Sequence, residues 1–268
     1  MSNTGNITFH HHYDRDDASD YHFHIHYEMI YIKKGCLTLF TPHRKYEVLP
    51  GELCIIPPLT AHKTVYRNAD VEHITFGRDY LVRYISKNAL DSVDNPDKGI
   101  LFMCDCNNSS KAKELIDKIS LYEGKGAYIY IFMALKESSS AKPYSAPDSS
   151  LSTILEYIDN HAENKFCLDE IAKNCRMTRF HVCRLMKSHM EITPSDYITF
   201  LKIRQAVEWL NFTTYTIKEI SERLFFSSPK HFAKIFKNYF GISPTDFRKG
   251  DAAISEEKIK GGLRIGKK

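Results

Sequence analysis

Several features are scarce or missing in this 268-residue chain, and each absence removes a class of protein. No run approaches the ~18 consecutive apolar residues of a membrane span. Met1 to Asn6 lack the basic-then-apolar order of a signal peptide. A cytosolic chain with no membrane partner is therefore expected. The cysteines number seven, an odd count at irregular spacing, which argues against a disulfide framework. Cys104-Asp105-Cys106 is the one close pair, and without a second pair at zinc-finger spacing it reads as buried thiols. A strong net charge is missing too, since the formal total is only +4. Its distribution is uneven, however. Residues 1–140 carry 16 Lys+Arg against 18 Asp+Glu, and the rest carry 21 against 15. A polyanionic partner would sit on the C-terminal half. Apolar residues make up 43%, sufficient for real cores, and the length suits one large domain or two ordinary ones.

From Tyr27 to Phe76 the pattern is β. Tyr27 to Ile32 is aromatic and β-branched, with a turn expected at Lys33-Lys34-Gly35. Leu37 to Phe40, Leu53 to Ile56 and Val71 to Phe76 follow, punctuated by Gly and Pro. Short strands of this kind predict an antiparallel sandwich or barrel. Helical periodicity replaces this after residue 110: Ala112, Leu115, Ile116 and Ile119, then an apolar stretch from Ala127 to Leu135. The pair predicts a helical hairpin, either a dimer surface or a layer packed on its own sheet. Ser138 to Ser150 has no periodicity and reads as a linker. The stripe Leu151, Ile154, Leu155, Ile158 opens a second domain, with Asp148, Ser149 or Ser150 as its cap.

That second domain contains an internal repeat. Leu168-Asp169-Glu170-Ile171-Ala172 matches Ile217-Lys218-Glu219-Ile220-Ser221 at an offset of 49. The offset then becomes 50: Val182, Leu185, Met186, Lys187 match Phe232, Ile235, Phe236, Lys237, and Ile192 to Tyr197 matches Ile242 to Phe247. Two copies are a duplicated module rather than a solenoid. Each has the mechanics of a helix-turn-helix: a short apolar-striped helix, a tight turn, then a second helix capped by Thr178 or by Ser227-Ser228. The outer face of the second helix is basic or polar, with Arg179, His181, Arg184, Lys187 in one copy and Lys230, His231, Lys234, Lys237 in the other. A capped helix with such a face suits the major groove of DNA. One such helix alone would more often be an ordinary solvated face. Two in register point to DNA.

Residues 150–249 resemble the C-terminal domain of the AraC/XylS family of transcription activators. The resemblance rests on Ile217-Lys218-Glu219-Ile220-Ser221, Phe226, Phe232, Phe236-Lys237, Gly241-Ile242-Ser243-Pro244 and Phe247-Arg248, with Leu201 to Leu210 as the connecting helix. The family's turn glycine is Phe225 here and its small neighbour is Ser221. In the first unit the matching position is Arg176, and the later glycine is Glu191. The first unit reads as having the more ordinary turn and the richer arginine face. The resemblance implies two recognition helices entering successive major-groove faces about 34 Å apart. Arg179, Phe180, His181 and Arg184 would lie near bases in the first unit, with Ser228, Pro229, Lys230, His231 and Lys234 in the second. Lys187, Lys202 and Lys237 would meet phosphates.

In the N-terminal half, His22-Phe23-His24 followed by Glu28 and Gly35, then Gly51, Pro57 and His62, is similar to the two cupin motifs. Leu59 replaces a glycine. Three imidazoles and a carboxylate could hold a divalent transition metal with open positions. The AraC/XylS resemblance instead implies a sensor cupin, with His22, His24, Glu28, Tyr31 and His62 lining an effector pocket. His10-His11-His12 is assigned no role. The expectation is an α+β two-domain protein. Residues 1–137 would form a cupin-like β-barrel with a helical hairpin for effector binding and dimerisation. Residues 138–150 would be the linker, 151–250 an all-α DNA-binding domain with two helix-turn-helix units, and 251–268 a polar tail. The function expected is an effector-controlled regulator, and an activator, that is no enzyme and has no cofactor. It would work as a homodimer on double-stranded DNA, with RNA polymerase a further candidate partner. The alternative is a metal-dependent cupin, sensor or enzyme, fused to a DNA-binding domain.

Overall fold

The structure is a computed structural model. It describes residues 7–86, 100–104, 111–122, 126–140, 149–161, 165, 167–249 and 263–265. Cys106, linker residues 141–148 and all of the expected tail except 263–265 lie outside the described residues. Contacts divide the chain into two compact units, one of residues 1–19 and 24–145, the other of residues 20–23 and 146–268.

The strands are β1 (Thr8–Arg15), β2 (His22–Phe23), β3 (Tyr27–Phe40), β4 (Lys45–Val48), β5 (Glu52–Ile56), β6 (Lys63–Phe76), β7 (Leu101–Cys104), β8 (Ser139–Ser140) and β9 (Leu263–Arg264). In the first unit an antiparallel sheet runs β1-β6-β3-β5-β7-β8, with β4 also paired to β3. The turn expected at Lys33-Lys34-Gly35 is not a turn. It is a bulge inside one continuous 14-residue strand, with register shifts between Ile32 and Lys34 and between Lys34 and Cys36. Gly35 has φ 73°, and a Cβ there would lie 2.2 Å from the Asn68 carbonyl oxygen. Only glycine admits that approach. The Gly-Pro punctuation read from the sequence was therefore partly bulge rather than hairpin.

Alternation along β3 divides two apolar clusters. Ile30, Ile32, Leu37 and Leu39 join Tyr46, Val48, Cys54, Ile56, Tyr66 and Val71 on one face. Tyr27, Met29 and Tyr31 join the other, which the helices α1 (Arg78–Val82), α2 (Lys111–Leu121) and α3 (Ala127–Glu137) cover. Ala112, Leu115, Ile116 and Ile119 are all buried, as their spacing predicts. The hairpin thus packs on its own sheet through one side. Its other side leaves Leu121, Tyr122, Ile129 and Met133 exposed. Ser139 and Ser140 pair with Phe102 and Leu101, so the stretch expected to be linker begins as an edge strand.

The second unit is helical: α4 (Ser149–Asn160), α5 (Leu168–Asn174), α6 (Arg179–Met190), α7 (Pro194–Phe212), α8 (Ile217–Arg223), α9 (Pro229–Phe240) and α10 (Pro244–Lys249). β2 and β9 pair within it. The 19-residue α7 starts at a capping box, in which Thr193 and Asp196 satisfy each other's backbone N–H groups, followed by Pro194 at the first turn. Its buried side, including Phe200, Leu201, Ile203, Ala206, Val207 and Leu210, forms the spine of the unit. Among the described residues no helix is long and apolar enough to cross a membrane.

Candidate nucleic-acid interface and buried sensor cluster

The two copies seen in the sequence fold alike. α5 and α8 each have seven residues, and α6 and α9 each have twelve. The change of offset from 49 to 50 falls in the turns, which span residues 175–178 in the first unit and 224–228 in the second. Thr178 accepts from the His181 N–H at 3.2 Å, and Ser228 from the His231 N–H at 3.1 Å. Each therefore satisfies a donor that the first helical turn leaves open.

Both turns are Schellman motifs. The Met177 N–H donates to the Ala172 carbonyl at 2.8 Å and the Arg176 N–H to the Lys173 carbonyl at 3.1 Å; Phe226 donates to Ser221 and Phe225 to Glu222, both at 3.0 Å. This motif needs a left-handed residue at its corner, usually glycine. Arg176 and Phe225 occupy the corners, both at φ 54°. The first turn is thus no more ordinary than the second. At the far ends of α6 and α9, Glu191 at φ 61° matches Gly241 at φ 79°.

The core faces are Val182, Met186, Met190 and Phe232, Phe236, Phe240, all buried. Opposite them, Arg179, Phe180, Arg184 and Lys187 on α6, and Pro229, Lys230, His231, Lys234 and Lys237 on α9, are exposed, with Ser228 at the helix start. Phe180 is 77% exposed, an unusual placement for a phenylalanine. Phe180, Cys183, Arg184, Lys187 and Ser188 line an open hollow along α6. His181 is only partly exposed, and its Nδ1 accepts from the Arg184 guanidinium at 3.1 Å. Lys202 does not join these faces. It is partly buried, lies 5.5 Å from the Phe226 ring centre and points toward the Phe225 carbonyl at 3.5 Å. Burial lowers its pKa. It packs against the second turn.

In the first unit, Glu28 lies on β3 with its carboxylate buried among histidines. His24 Nε2 is 2.7 Å and His62 Nε2 is 3.3 Å from Oε2, while His73 Nε2 is 2.6 Å from Oε1. Only the His24 contact is an aligned hydrogen bond; the other two are ionic contacts. Burial alone would raise the Glu28 pKa. The His73 charge and the contacts from His24, His62 and His73 outweigh it and hold the carboxyl well below the usual range. His24 Nδ1 donates to the His26 carbonyl at 2.7 Å, and its ring stacks on His26 at 4.1 Å. Both His24 nitrogens are thus engaged. His62 Nδ1 donates to the Thr60 carbonyl at 2.9 Å. Burial, then the neighbouring His24, pull the His26 pKa down to about 2.

Of the pocket residues expected, His24, Glu28 and His62 come together. Tyr31 does not: three positions from Glu28 it faces the opposite side of β3, in the helix-covered cluster. His22 groups with the second unit, where its Nδ1 donates to the Asp20 carbonyl at 2.9 Å. His26 and His73 were missed. The alternation His22-His24-His26 could have flagged the first. His73 is brought in by register, since it pairs with Ile30, two residues along β3 from Glu28.

A family model for an AraC-like ligand binding domain matches residues 4–89, and one for a helix-turn-helix domain matches residues 171–250. The HTH-type transcriptional activator RhaS of Salmonella arizonae is 25% identical over 129 residues, covering 48% of this chain and 46% of that protein. RhaS of Salmonella agona is 24% identical over 144 residues, covering 54% and 52%. The chain spans about half the length of the curated relatives it matches. Among solved structures, ToxT from Vibrio cholerae O395 overlays at a TM-score of 0.39 with 16% identity, covering 92% of this chain and 96% of ToxT. An AraC-type regulator from Chromobacterium violaceum overlays at 0.36 with 28% identity, covering 37% and 89%. The chain is thus similar to AraC-type regulators in both of its parts, with an AraC-like ligand-binding module before a helix-turn-helix module.

Proposed function

We propose that this protein is a sequence-specific DNA-binding transcription regulator, an activator, whose DNA binding responds to a small molecule held in the first unit. The observation that carries the proposal is the matched pair α6 and α9: equal length, equivalent caps, and exposed cationic faces at equivalent positions. Helices so capped can enter successive major grooves, with their free N–H groups near the phosphates. Arg179, Phe180, His181 and Arg184 read bases in one half, and Ser228, Pro229, Lys230, His231 and Lys234 in the other. Lys187 and Lys237 meet phosphate. The effector contacts the cluster of Glu28, His24 and His62, whose buried carboxylate suits a polar ligand. The exposed side of the α2–α3 hairpin, with Leu121, Tyr122, Ile129 and Met133, serves a homodimer. A cytosolic location and contact with RNA polymerase follow from the activator role. No catalytic role is assigned. A metal at His22, His24, Glu28 and His62 would have to displace a bond from each nitrogen it used on His24.

The test starts from binding sites selected out of genomic DNA by the purified protein. Arg184→Ala should weaken the selected site by about 1–3 kcal/mol while binding random duplex almost as before. An unchanged preference for the selected site would remove Arg184 from base reading.

A further inference from the structure

Two histidines on β1, His10 and His12, have no part in the function described so far, and both stand beside His73 of β6. His10 pairs with His73 across the ladder, and His12 lies two residues along β1, opposite Val71. Alternation puts all three rings on one face of the sheet. Their centroids form a nearly equilateral triangle with sides of 6.0, 6.1 and 6.1 Å. Behind it, His73 Nε2 meets Glu28 Oε1 at 2.6 Å. We propose that His10, His12 and His73 form a three-imidazole site for a divalent transition cation of the zinc, cobalt or nickel class, with Glu28 orienting His73 from the outer shell.

The geometry suits such an ion. Metal–nitrogen bonds of about 2.0–2.1 Å with tetrahedral angles place ring centres roughly 5 Å apart. The observed triangle is about 1 Å wider, a gap that side-chain torsions of partly exposed rings can close. A carboxylate behind a ligating histidine is the usual outer-shell arrangement, fixing ring orientation and raising ligand basicity. His73 directs one nitrogen to Glu28, so the other serves the cation. Imidazole without carboxylate in the first shell favours zinc, copper or nickel over magnesium or calcium. The neutral ring is the ligating form. Since β1 is the edge strand, a bound ion would fasten the N-terminal strand to β6.

The experiment uses full-length protein without a histidine tag, stripped with chelator and titrated with Co(II). The expected result is a visible d–d spectrum saturating at about one equivalent. His10→Gln and His12→Gln should each weaken binding at least tenfold, as loss of a first-shell ligand exceeds the ~10-fold floor for outer-shell losses. His22→Gln should leave it unchanged. X-ray absorption of the Zn(II)-loaded wild type should show three imidazoles, a reading that does not depend on any variant folding. The proposal is overturned by no stoichiometric spectrum, by undiminished binding in both β1 variants, or by a loss confined to His22→Gln, which would place the ion at the cupin motif.

Discussion

The corner residue of the second helix-turn-helix gives the sharpest test of the backbone argument. Phe225 sits at φ 54°, where an L residue with a Cβ is strained by about 1–2 kcal/mol and glycine is not. Glycine carries an opposing cost of about 0.5–1 kcal/mol, from the greater freedom of the unfolded chain. Phe225 is 47% exposed, so truncating its ring forfeits only about 1 kcal/mol of burial. Phe225→Gly against wild type therefore mixes two effects that nearly cancel. Phe225→Gly against Phe225→Ala isolates the dihedral, since both lose the ring and only alanine keeps a Cβ. Glycine should be the more stable of the two by about 0.5–1 kcal/mol, reversing the order found at ordinary helical and extended positions. For a domain of this size that is about 3–6 °C in Tm. The chain's single tryptophan, Trp209, lies on α7 and packs edge-on to Tyr215 at 5.7 Å, so its fluorescence reports the helical unit within the intact protein. An alanine variant as stable as the glycine variant would refute the strain argument.

Ser221 is fully buried and its hydroxyl has no partner, whereas the equivalent residue in the first unit is Ala172. Ser221→Ala should raise stability by about 1 kcal/mol in urea unfolding, and a loss would mean that the hydroxyl is satisfied in solution. His26 is held neutral when folded, with its pKa near 2, so the unfolded chain binds the extra proton below pH 6.5. That stability is present above the unfolded pKa and falls with pH, by about 1.4 kcal/mol between pH 7.5 and 5.5. Subtracting the profile of His26→Phe, which removes the group, should leave a difference of that sign; parallel profiles would exclude His26. The depressed Glu28 pKa works in the same direction at lower pH, its contribution being lost as pH falls through the folded value. Lys187→Ala should weaken DNA binding evenly across sequences and flatten the logarithmic salt dependence by about 0.9. An unaltered slope would take Lys187 off the phosphates.

The repeat was legible because its signals are local. Caps, apolar stripes and the Ser-Pro or Thr-Pro closures sit at fixed separations, and the one-residue difference in the turns appears directly as the shift from 49 to 50. The left-handed corners were less so, since Arg176, Phe225 and Glu191 carry no glycine signature, and only the family resemblance and the matched positions within the repeat point to them. In the sheet the limit was register. Nothing near His73 says that it will stand beside Glu28, and nothing near His10 says that it will face His73. Those pairings follow from how β6 lies between β3 and β1. Tyr31 was a different failure, because an odd separation from Glu28 already puts it on the other face of a strand.

The same register argument explains why the first unit is polar at its centre. A carboxylate buried without partners would cost several kcal/mol and would protonate instead. Glu28 remains ionised because two loops and one strand deliver a histidine each: His24 before β3, His62 before β6 and His73 within β6. Removing any one of the three leaves the others facing a charge they only partly compensate. The cluster therefore couples positions far apart in the chain through one carboxylate. A ligand that took a hydrogen bond from Glu28 would have to replace what a histidine supplies. It would thereby shift the segments that carry these rings, including the strand beside β1. That gives an effector a physical means of acting on the sheet, because the strands are tied to one another through a group that cannot be left unpaired.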